Sequence, residues 1–463
     1  MSVLADDTAA LDGVTVLVAG AGVTGRSAAR LLAELGAAVT VTDSDPARLA
    51  DLTDIGVDLA PRLATPPEAT RLVVTSPGWR PDTPLLLAAA ARGIEVIGDV
   101  ELAWRVGSRS GRQPAWLAVT GTNGKTTTVG MLESILRAAG ADAVACGNIG
   151  LPVIEAMRAG HEVLAVELSS FQLHWSATVA PLAAVVLNVS EDHLDWHGSL
   201  AAYAADKARI YHGARVRVCN ADDAVAAELA GGGERAAYFT LGEPAAGQLG
   251  VIEGVLVDRA FGDGAGTAMA TVADVRPGGQ HNVANALAAA ALARAYGVPS
   301  RAVADGLRGY QPGAHRAVRI AEIDGVSYID DSKATNPHAA AASLRAHRRV
   351  VWIAGGQLKG ASVDGLLADV APRLAGVVLL GVDQDVIGAA VARHAPDVPV
   401  VRVVSGEDEP MRRAVEGGSA MARPGDVVLL APAAASLDMF VNYGERGRAF
   451  ADAVARLAHG AAR

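Results

Sequence analysis

The sequence predicts an α/β protein of three doubly wound domains, the first and last Rossmann-like, and three observations carry that expectation. The chain has 463 residues, more than one hydrophobic core usually serves, and roughly 150 residues per domain gives about three. Short β-branched runs alternate with Ala- and Leu-rich stretches of helical length, which is the pattern of βαβ units. Two polar breaks containing Gly or Pro, GSRSGRQP at 107–114 and YQPGA at 310–314, interrupt the alternation and read as linkers. They put domains at 1–110, 111–312 and 313–463.

Taken in order, residues 14–18, 39–41 and 72–74 are the strand candidates of the first block. The second opens with a strand at 116–119 and continues at 163–167, 184–187 and 216–219. Residues 231–271 are Gly-rich with short alternating runs such as 255–257, the signature of a small hairpin excursion rather than a further domain. A helix over 282–296 closes this block. In the third, runs at 328–329, 350–353, 377–380, 400–404 and 427–430 alternate with helical stretches, a further doubly wound pattern. No fixed-period repeat and no low-complexity tail is visible.

Composition narrows the function classes. A formal net charge of −10 leaves no general basic footprint for nucleic acid or an anionic membrane. Cys146 and Cys219 are the two cysteines, too few for a disulfide framework and without metal-ligand spacing, which fits buried packing residues in a reducing cytosol. The first thirteen residues carry Asp6, Asp7 and Asp12 and lack a basic region followed by an apolar one, so no signal peptide is expected. The Ala-rich stretch after Asn285 is broken by Arg294, well short of the roughly 20 apolar residues a spanning helix needs. A soluble cytoplasmic protein without membrane insertion is expected.

The strongest local signal is Gly121-Thr122-Asn123-Gly124-Lys125-Thr126-Thr127, between an apolar strand and a helical pattern at 129–136. Backbone N–H groups at a helix N-terminus cradle phosphate oxygens, Lys125 can neutralise the β- and γ-phosphates, and the Thr126 hydroxyl can ligand Mg²⁺. The usual phosphate-loop pattern has Gly where Val119 stands, so this loop is a shortened variant, and it makes the central domain one of the P-loop type. Glu167 ends the strand candidate at 163–167, a position suited to a Mg²⁺ ligand or to a solvated strand-end acid. His193 sits among acids in NVSEDHLD (188–195), placed to ligand a metal, to orient a phosphate, or simply to be hydrogen-bonded. Gly20-Ala21-Gly22-Val23-Thr24-Gly25, with Asp43 ending the next strand, matches a dinucleotide fingerprint. That turn serves a nucleotide-sugar diphosphate equally well, with Asp43 holding a ribose or uracil donor, and it also fits a tight turn that binds nothing.

Taken together these motifs resemble the Mur ligase family, in which three domains bind a UDP-sugar, ATP and an incoming amino acid. The resemblance runs end to end: GTNGKTT from Gly121, GNIG (147–150), ELSSFQL (167–173), NVSEDHLD, GQHNVANALAA (279–289), the His315-Arg316 pair, DDSKATNP (330–337) and ASLDMFVNYGERG (435–447). The last two motifs are similar to those of the member that adds D-glutamate to UDP-N-acetylmuramoyl-L-alanine, and the DNPR signature of the next ligase is absent.

The resemblance implies roles for individual residues. Lys125, Thr126 and Glu167 would serve ATP and Mg²⁺, with Asn285 at the adenine end and Arg316 and Asp331 reaching over from the last domain. His193 and Lys207 would complete a second metal site, Lys207 matching the family lysine that reacts with CO₂ to become a carbamate. Read from its context alone, Lys207 is a surface helix lysine. Thr335, Lys359, Ser436, Leu437 and Tyr443 would form the D-glutamate site, Lys359 supplying charge for a dicarboxylate. Val23, Thr24, Asp43, Gly78, Asn148 and His193 would hold the UDP-muramoyl substrate. Asp45 stands where family members often carry an arginine, so another cation takes over there or the contact is dispensable.

The activity so implied is that of an ATP-dependent amide ligase working through an acyl phosphate, expected as a monomer with two Mg²⁺ ions. Because the ATP residues flank the break at 310–314, the site is expected to be complete only when the last domain swings in. Rival readings are a sister ligase, either another Mur step or a folylpolyglutamate synthase-like enzyme, an NAD-dependent dehydrogenase built on the first glycine turn, and a non-catalytic nucleotide sensor. The dehydrogenase leaves the Lys125 loop without a role.

Overall fold

The computed structural model describes residues 11–109, 113–233, 236–262, 265–403 and 409–461. Asp6 and Asp7, residues 110–112 of the first polar break, parts of the 231–271 excursion and Val404 lie outside them. Among the described residues there are three sheets, one for each predicted block.

The first sheet is parallel throughout, in the order Asp58–Leu59, Ala38–Thr42, Thr15–Ala19, Leu72–Thr75, Glu95–Gly98. The second runs from Thr267–Thr271 through Val255–Asp258, Gln248–Ile252, Ala236–Phe239, Val216–Asn220, Ala183–Val186, Ala115–Thr120 and Val163–Glu167 to Ala143–Gly147. Its first three strands are an antiparallel meander at the edge, so the Gly-rich excursion extends the central sheet. The third orders Val318–Ile323, Val326–Asp330, Val427–Leu430, Val350–Gly355, Leu374–Leu380 and Val400–Arg402, antiparallel only at the first pair. The strands Glu95–Gly98 and Ala143–Gly147 are not among those the sequence predicts. Both are short and carry Gly or Ala at positions where β-branched residues would have marked them.

Every residue of Val163–Glu167 and Val350–Gly355 is buried, as parallel strands covered on both faces require, and such strands read as continuous apolar runs without alternation. Parallel pairing also aligns strand ends. Val119 and Gly147 both face Glu167, and Thr120 faces Val186, so segments separated by tens of residues finish at one edge. In an open α/β sheet that edge is where ligands bind.

The chain forms two compact units. The first is Met1–Val189, His193–Asp274 and Ala284–Tyr310, and the second is Ser190–Asp192, Val275–Val283 and Gln311–Arg463. The first unit therefore holds two sheets, joined by polar ties. Glu101, fully buried, accepts hydrogen bonds from Ala177 N (2.8 Å), Thr178 N (3.0 Å) and Thr178 Oγ1 (2.6 Å) while pairing with Arg105. Gly98 N donates to Trp175 O (3.0 Å), and Arg158 pairs with Glu34. Cys146 and Cys219 are buried, free thiols. No helix among the described residues is long and apolar enough to cross a membrane.

Asp99 sits in the same tie and is 3 % exposed. Burial pushes its carboxyl from 3.8 to about 6, against backbone N–H groups and the Gln172 side chain that favour the charged form. Its Oδ1 has no hydrogen-bond partner. Between those two pH values the folded chain holds a proton that the unfolded chain has lost, so this residue makes stability fall as pH rises through the window. Asp99→Asn is expected to raise stability at pH 8 by on the order of 3 kcal/mol. The gain should shrink as pH falls toward 4, as read from urea midpoints of the two proteins across pH; a gain independent of pH would contradict the assignment.

Candidate active site

The phosphate loop is shaped by glycines that no other residue replaces. Gly121 (φ +155°) and Gly124 (φ +86°) both have positive φ, and Gly124 is the N-cap of the helix Lys125–Ala138. A methyl group on Gly124 would meet Asn285 Oδ1 at 2.3 Å, and one on Gly121 would meet Leu187 Cβ at 3.0 Å. The loop is thus pressed between the next strand end and Asn285, which is itself 6 % exposed. Asn188 braces it from behind: its Oδ1 accepts from Asn123 N (2.9 Å), its Nδ2 donates to Asn123 O (3.1 Å), and its carbonyl accepts from Thr122 N (3.0 Å). By helix geometry the first-turn amides after Gly124 have no intrahelical acceptor, and the helix dipole favours an anion there.

Two lysines converge on this loop. Lys125 Nζ donates to Gly121 O (2.8 Å) and Thr122 O (3.0 Å), and Lys207 Nζ donates to the same Gly121 carbonyl at 3.0 Å. Lys207 is 1 % exposed, which corrects the reading of its local sequence as a surface lysine. Its helix, Leu200–Ala208, packs Tyr203 and Lys207 on one buried face, four residues apart. The ammonium lies 4.3 Å from the Tyr203 ring centroid, and the Tyr203 hydroxyl is 3.2 Å from Thr122 Oγ1. Tyr203 and Asn188 are site residues that the sequence motifs do not single out. The i, i+4 spacing of Tyr203 to Lys207 was the available signal for the first, and the strand-end position of NVSEDH for the second.

Glu167 is 2 % exposed and its Oε1 accepts from Asn148 Nδ2 at 2.9 Å, while Asn148 N donates to Glu167 O. GNIG and ELSSFQL are thereby one structure. His193 takes a left-handed backbone (φ +54°) at the start of a short helix, with its ring 4.8 Å from Phe171 and 6.5 Å from Tyr203. Phe171 stacks on His197 at 5.4 Å, and Asp206 accepts from His174 Nδ1 and His197 Nδ1 (both 3.0 Å). Burial opposes the charge on Asp206, but these bonds hold its carboxyl near 2.

No cluster of three or more His, Cys, Asp or Glu side chains able to hold a metal occurs among the described residues. Mg²⁺ is a hard cation that keeps several waters and takes one or two protein carboxylates plus phosphate oxygens. Thr126 and Glu167 are oxygen donors of that kind. Carbamylated, Lys207 would add two more oxygens and keep one N–H for Gly121 O.

In the first sheet, Gly20 (φ +109°) and Gly25 allow a close approach: a methyl group on Gly25 would lie 1.8 Å from Gly20 O. Asp43, 5 % exposed, accepts from Ala21 N at Oδ2 (2.8 Å) and from Asp45 N at Oδ1 (2.9 Å). Burial raises its pKa, but these bonds outweigh that and leave it below the usual carboxylate range. The carboxylate therefore fixes the glycine turn. Val23 is 71 % exposed, Thr24 half-buried, and Gly78 lies in the turn after Leu72–Thr75. Asp45 caps the helix Pro46–Ala50 through Ala47 N (3.0 Å), with Arg48 at 3.7 Å and with Arg62 Nε on Ser44 O at 3.1 Å. Two arginines thus flank the position at which the family arginine is absent.

The remaining predicted residues belong to the second unit. Asp331 Oδ1 accepts from Ala317 N (3.2 Å), and desolvation pushes its carboxyl to about 6 against the nearby Arg316 charge. Thr335 N donates to Lys333 O, and the Lys333 ammonium lies 4.1 Å from the Tyr443 ring. Gln357 pairs with Ala435 in an isolated antiparallel bridge, which sets the Lys359 loop beside Ser436, 4 % exposed, and Leu437, 62 % exposed.

A lysine on loop carbonyls at an open sheet edge contributes charge, and little to the core. Lys125→Ala is expected to abolish ATP-dependent phosphate release while leaving the circular dichroism spectrum and melting profile unchanged; normal release by a folded variant would remove the loop from the chemistry.

Three domain families match the chain in succession: the Mur ligase MurD-like N-terminal domain at residues 14–98, the Mur ligase middle domain at 119–293 and the Mur ligase glutamate ligase domain at 315–434. The UDP-N-acetylmuramoylalanine–D-glutamate ligase of Streptomyces avermitilis is 55 % identical, the match covering 96 % of this chain and 98 % of the relative. The protein of the same name from Streptomyces coelicolor is 54 % identical with the same coverage. Among solved structures, the UDP-N-acetylmuramate-alanine ligase MurC of Thermotoga maritima shares the fold, with a TM-score of 0.57 at 19 % identity over 96 % of this chain and 99 % of that one. Matched along nearly its whole length by relatives that share half its residues, the chain belongs to the Mur ligase family.

Proposed function

We propose that this chain joins D-glutamate to UDP-N-acetylmuramoyl-L-alanine with the breakdown of ATP, a cytoplasmic step in peptidoglycan precursor synthesis carried out by a monomer. The observation that carries the ATP-dependent part of the reading is the pair of lysines on the Gly121 carbonyl. Two ammonium groups sharing one acceptor repel each other, and an anion in the loop, a phosphate or a carbamate on one of the lysines, relieves that repulsion. The relatives that share half of this sequence are named for the same ligation.

In this mechanism the first-turn amides and Lys125 bind the β- and γ-phosphates and offset charge on the transferring phosphoryl group. The muramoyl-alanine carboxylate attacks the γ-phosphorus, the bond to the ADP oxygen breaks, and an acyl phosphate forms. The glutamate amine then attacks the acyl carbon, and the tetrahedral intermediate expels phosphate to leave the amide. Two Mg²⁺ ions, held by Thr126, Glu167, His193 and Lys207 as its carbamate, would supply further charge neutralisation at the phosphates. Asn285 lies beside Gly124 for the adenine end. Thr335, Lys359, Ser436, Leu437 and Tyr443 receive the amino acid, with Lys359 the cation for a dicarboxylate. Val23, Thr24, Gly78 and Asn148 contact the UDP-sugar, and Asp43 acts by holding the turn under it. We assign the three domains to 1–110, 111–312 and 313–463.

The deciding assay is phosphate release with ATP, UDP-N-acetylmuramoyl-L-alanine and each glutamate enantiomer in turn. Release should require the sugar nucleotide and D-glutamate together. Equal stimulation by L-glutamate, or by another amino acid, would instead favour a sister ligase.

Carbamylation joins the neutral Lys207 amine to CO₂ and releases a proton. Lys207→Ala is therefore expected to lose nearly all activity and to recover part of it in concentrated formate or acetate, whose carboxylate can occupy the vacated space, but not in chloride. Full activity of Lys207→Ala in CO₂-free buffer would limit this lysine to packing.

A further inference from the structure

The loop that carries Lys359 rests on a junction of three glycines. Strand Val350–Gly355 ends in Gly355 (φ +131°) and Gly356 (φ +127°), and a methyl group on Gly356 would lie 2.0 Å from Ala435 O. Gly381, at the end of the neighbouring strand Leu374–Leu380, is equally tight: a methyl group there would meet Gly356 N at 2.6 Å. After this junction the chain passes through Leu358 to Lys359, which is exposed and takes a left-handed backbone (φ +52°). A lysine in that conformation is strained, and something in the surrounding structure must impose it.

Lys359 and Gly360 (φ +81°) are the two central residues of a turn closed by Ala361 N–H on Leu358 O at 3.0 Å, and the side chain that anchors the first residue of this turn is Asp383. Its Oδ2 accepts a hydrogen bond from Leu358 N at 2.7 Å, and its own N–H donates to Gly356 O at 3.2 Å. Asp383 is the N-cap residue of the helix Gln384–His394, yet it makes no side-chain cap bond to that helix. Aspartate is among the preferred N-caps because its carboxylate satisfies an orphan amide of the first turn. Here the carboxylate leaves its own helix uncapped and reaches across the strand ends to the residue before Lys359. Asp438 holds the adjacent backbone, its Oδ2 accepting from Val382 N at 2.9 Å. The same segment carries Ser436 and Leu437, so the brace joins both sides of the amino-acid site.

We propose that Asp383 is a positioning residue for the amino-acid substrate: by clamping Leu358 N it fixes in place the turn in which Lys359 is left-handed and so aims the ammonium at a substrate carboxylate. This rests on Lys359 being the substrate's cation, as assigned above. Asp383 acts on the substrate through Lys359.

Two measurements on the full-length chain test the proposal. In the first, endoproteinase Lys-C cleavage after Lys359 is followed for the wild type, Asp383→Ala and Asp383→Asn, a readout that depends on no activity. Cleavage should accelerate in Asp383→Ala and stay near the wild-type rate in Asp383→Asn, whose amide oxygen can still accept from Leu358 N. In the second, Michaelis constants are compared. Asp383→Ala should raise that for D-glutamate roughly ten- to a hundred-fold, the range for losing a hydrogen bond to a charged group. Those for ATP and the sugar nucleotide should not change. In a Lys359→Ala background, Asp383→Ala should add nothing, since two residues acting as one unit are not additive.

Unchanged cleavage in Asp383→Ala would overturn the brace. Faster cleavage with additive kinetic effects, or with equal shifts for all three substrates, would reduce Asp383 to a structural residue. Faster cleavage in an otherwise intact protein whose wild type ignores glutamate would leave the brace standing and overturn the assigned function.

Discussion

One backbone carbonyl, that of Gly121, organises the first unit. It accepts from both Lys125 and Lys207, in a loop whose path needs the positive φ of Gly121 and Gly124. Asn188 fixes that turn from one side and Asn285 fills the other. The helix bearing Lys207 is then drawn in through Tyr203 and Thr122. Phosphate loop, Asn188 and Lys207 helix are for this reason a single arrangement, and moving any one of them displaces the other two.

The three sheets solve the same problem with different chemistry. In each, parallel strands end together, and the loops after them are forced into close approach. The first sheet manages the crowding with Gly20 and Gly25 and commits the Asp43 carboxylate to amides of the turn. The second uses Gly121, Gly124 and Gly147, leaving lysines and a glutamate at the edge. The third uses Gly355, Gly356 and Gly381, with Asp383 and Asp438 tying the loops. An aspartate at a strand end thus serves the backbone first in two of the three domains. Handing every such acid to a ligand overlooks the amides it must satisfy.

The strands legible in the sequence are the β-branched runs, such as 163–167, 350–353 and 427–430, where burial on both faces demands continuous apolar residues. Among the strands that are not, which also include Asp58–Leu59 and Val318–Ile323, Glu95–Gly98 and Ala143–Gly147 carry the glycines that let other chain segments approach, so the feature that makes them useful also hides them. The phosphate loop is legible because its spacing is local: one strand, one turn and one helix contain the whole device.

Lys207 is not legible in that way. Its neighbours in sequence are Asp206, Ala208 and Arg209, which describe a solvated helix, and nothing short of the tertiary fold brings Gly121 to within 3.0 Å of its ammonium. By itself the sequence determined the layered α/β architecture and the phosphate loop, along with the motifs that mark the family. Those properties depend on periodicity and on contacts within a few residues. Only the tertiary structure decided which charged groups are buried, which carboxylates serve the backbone, and that Lys125 and Lys207 share one acceptor. Each of those outcomes is set by what lies across the sheet edge, tens of residues away, where desolvation and hydrogen-bond supply fix the state of a side chain and local composition does not.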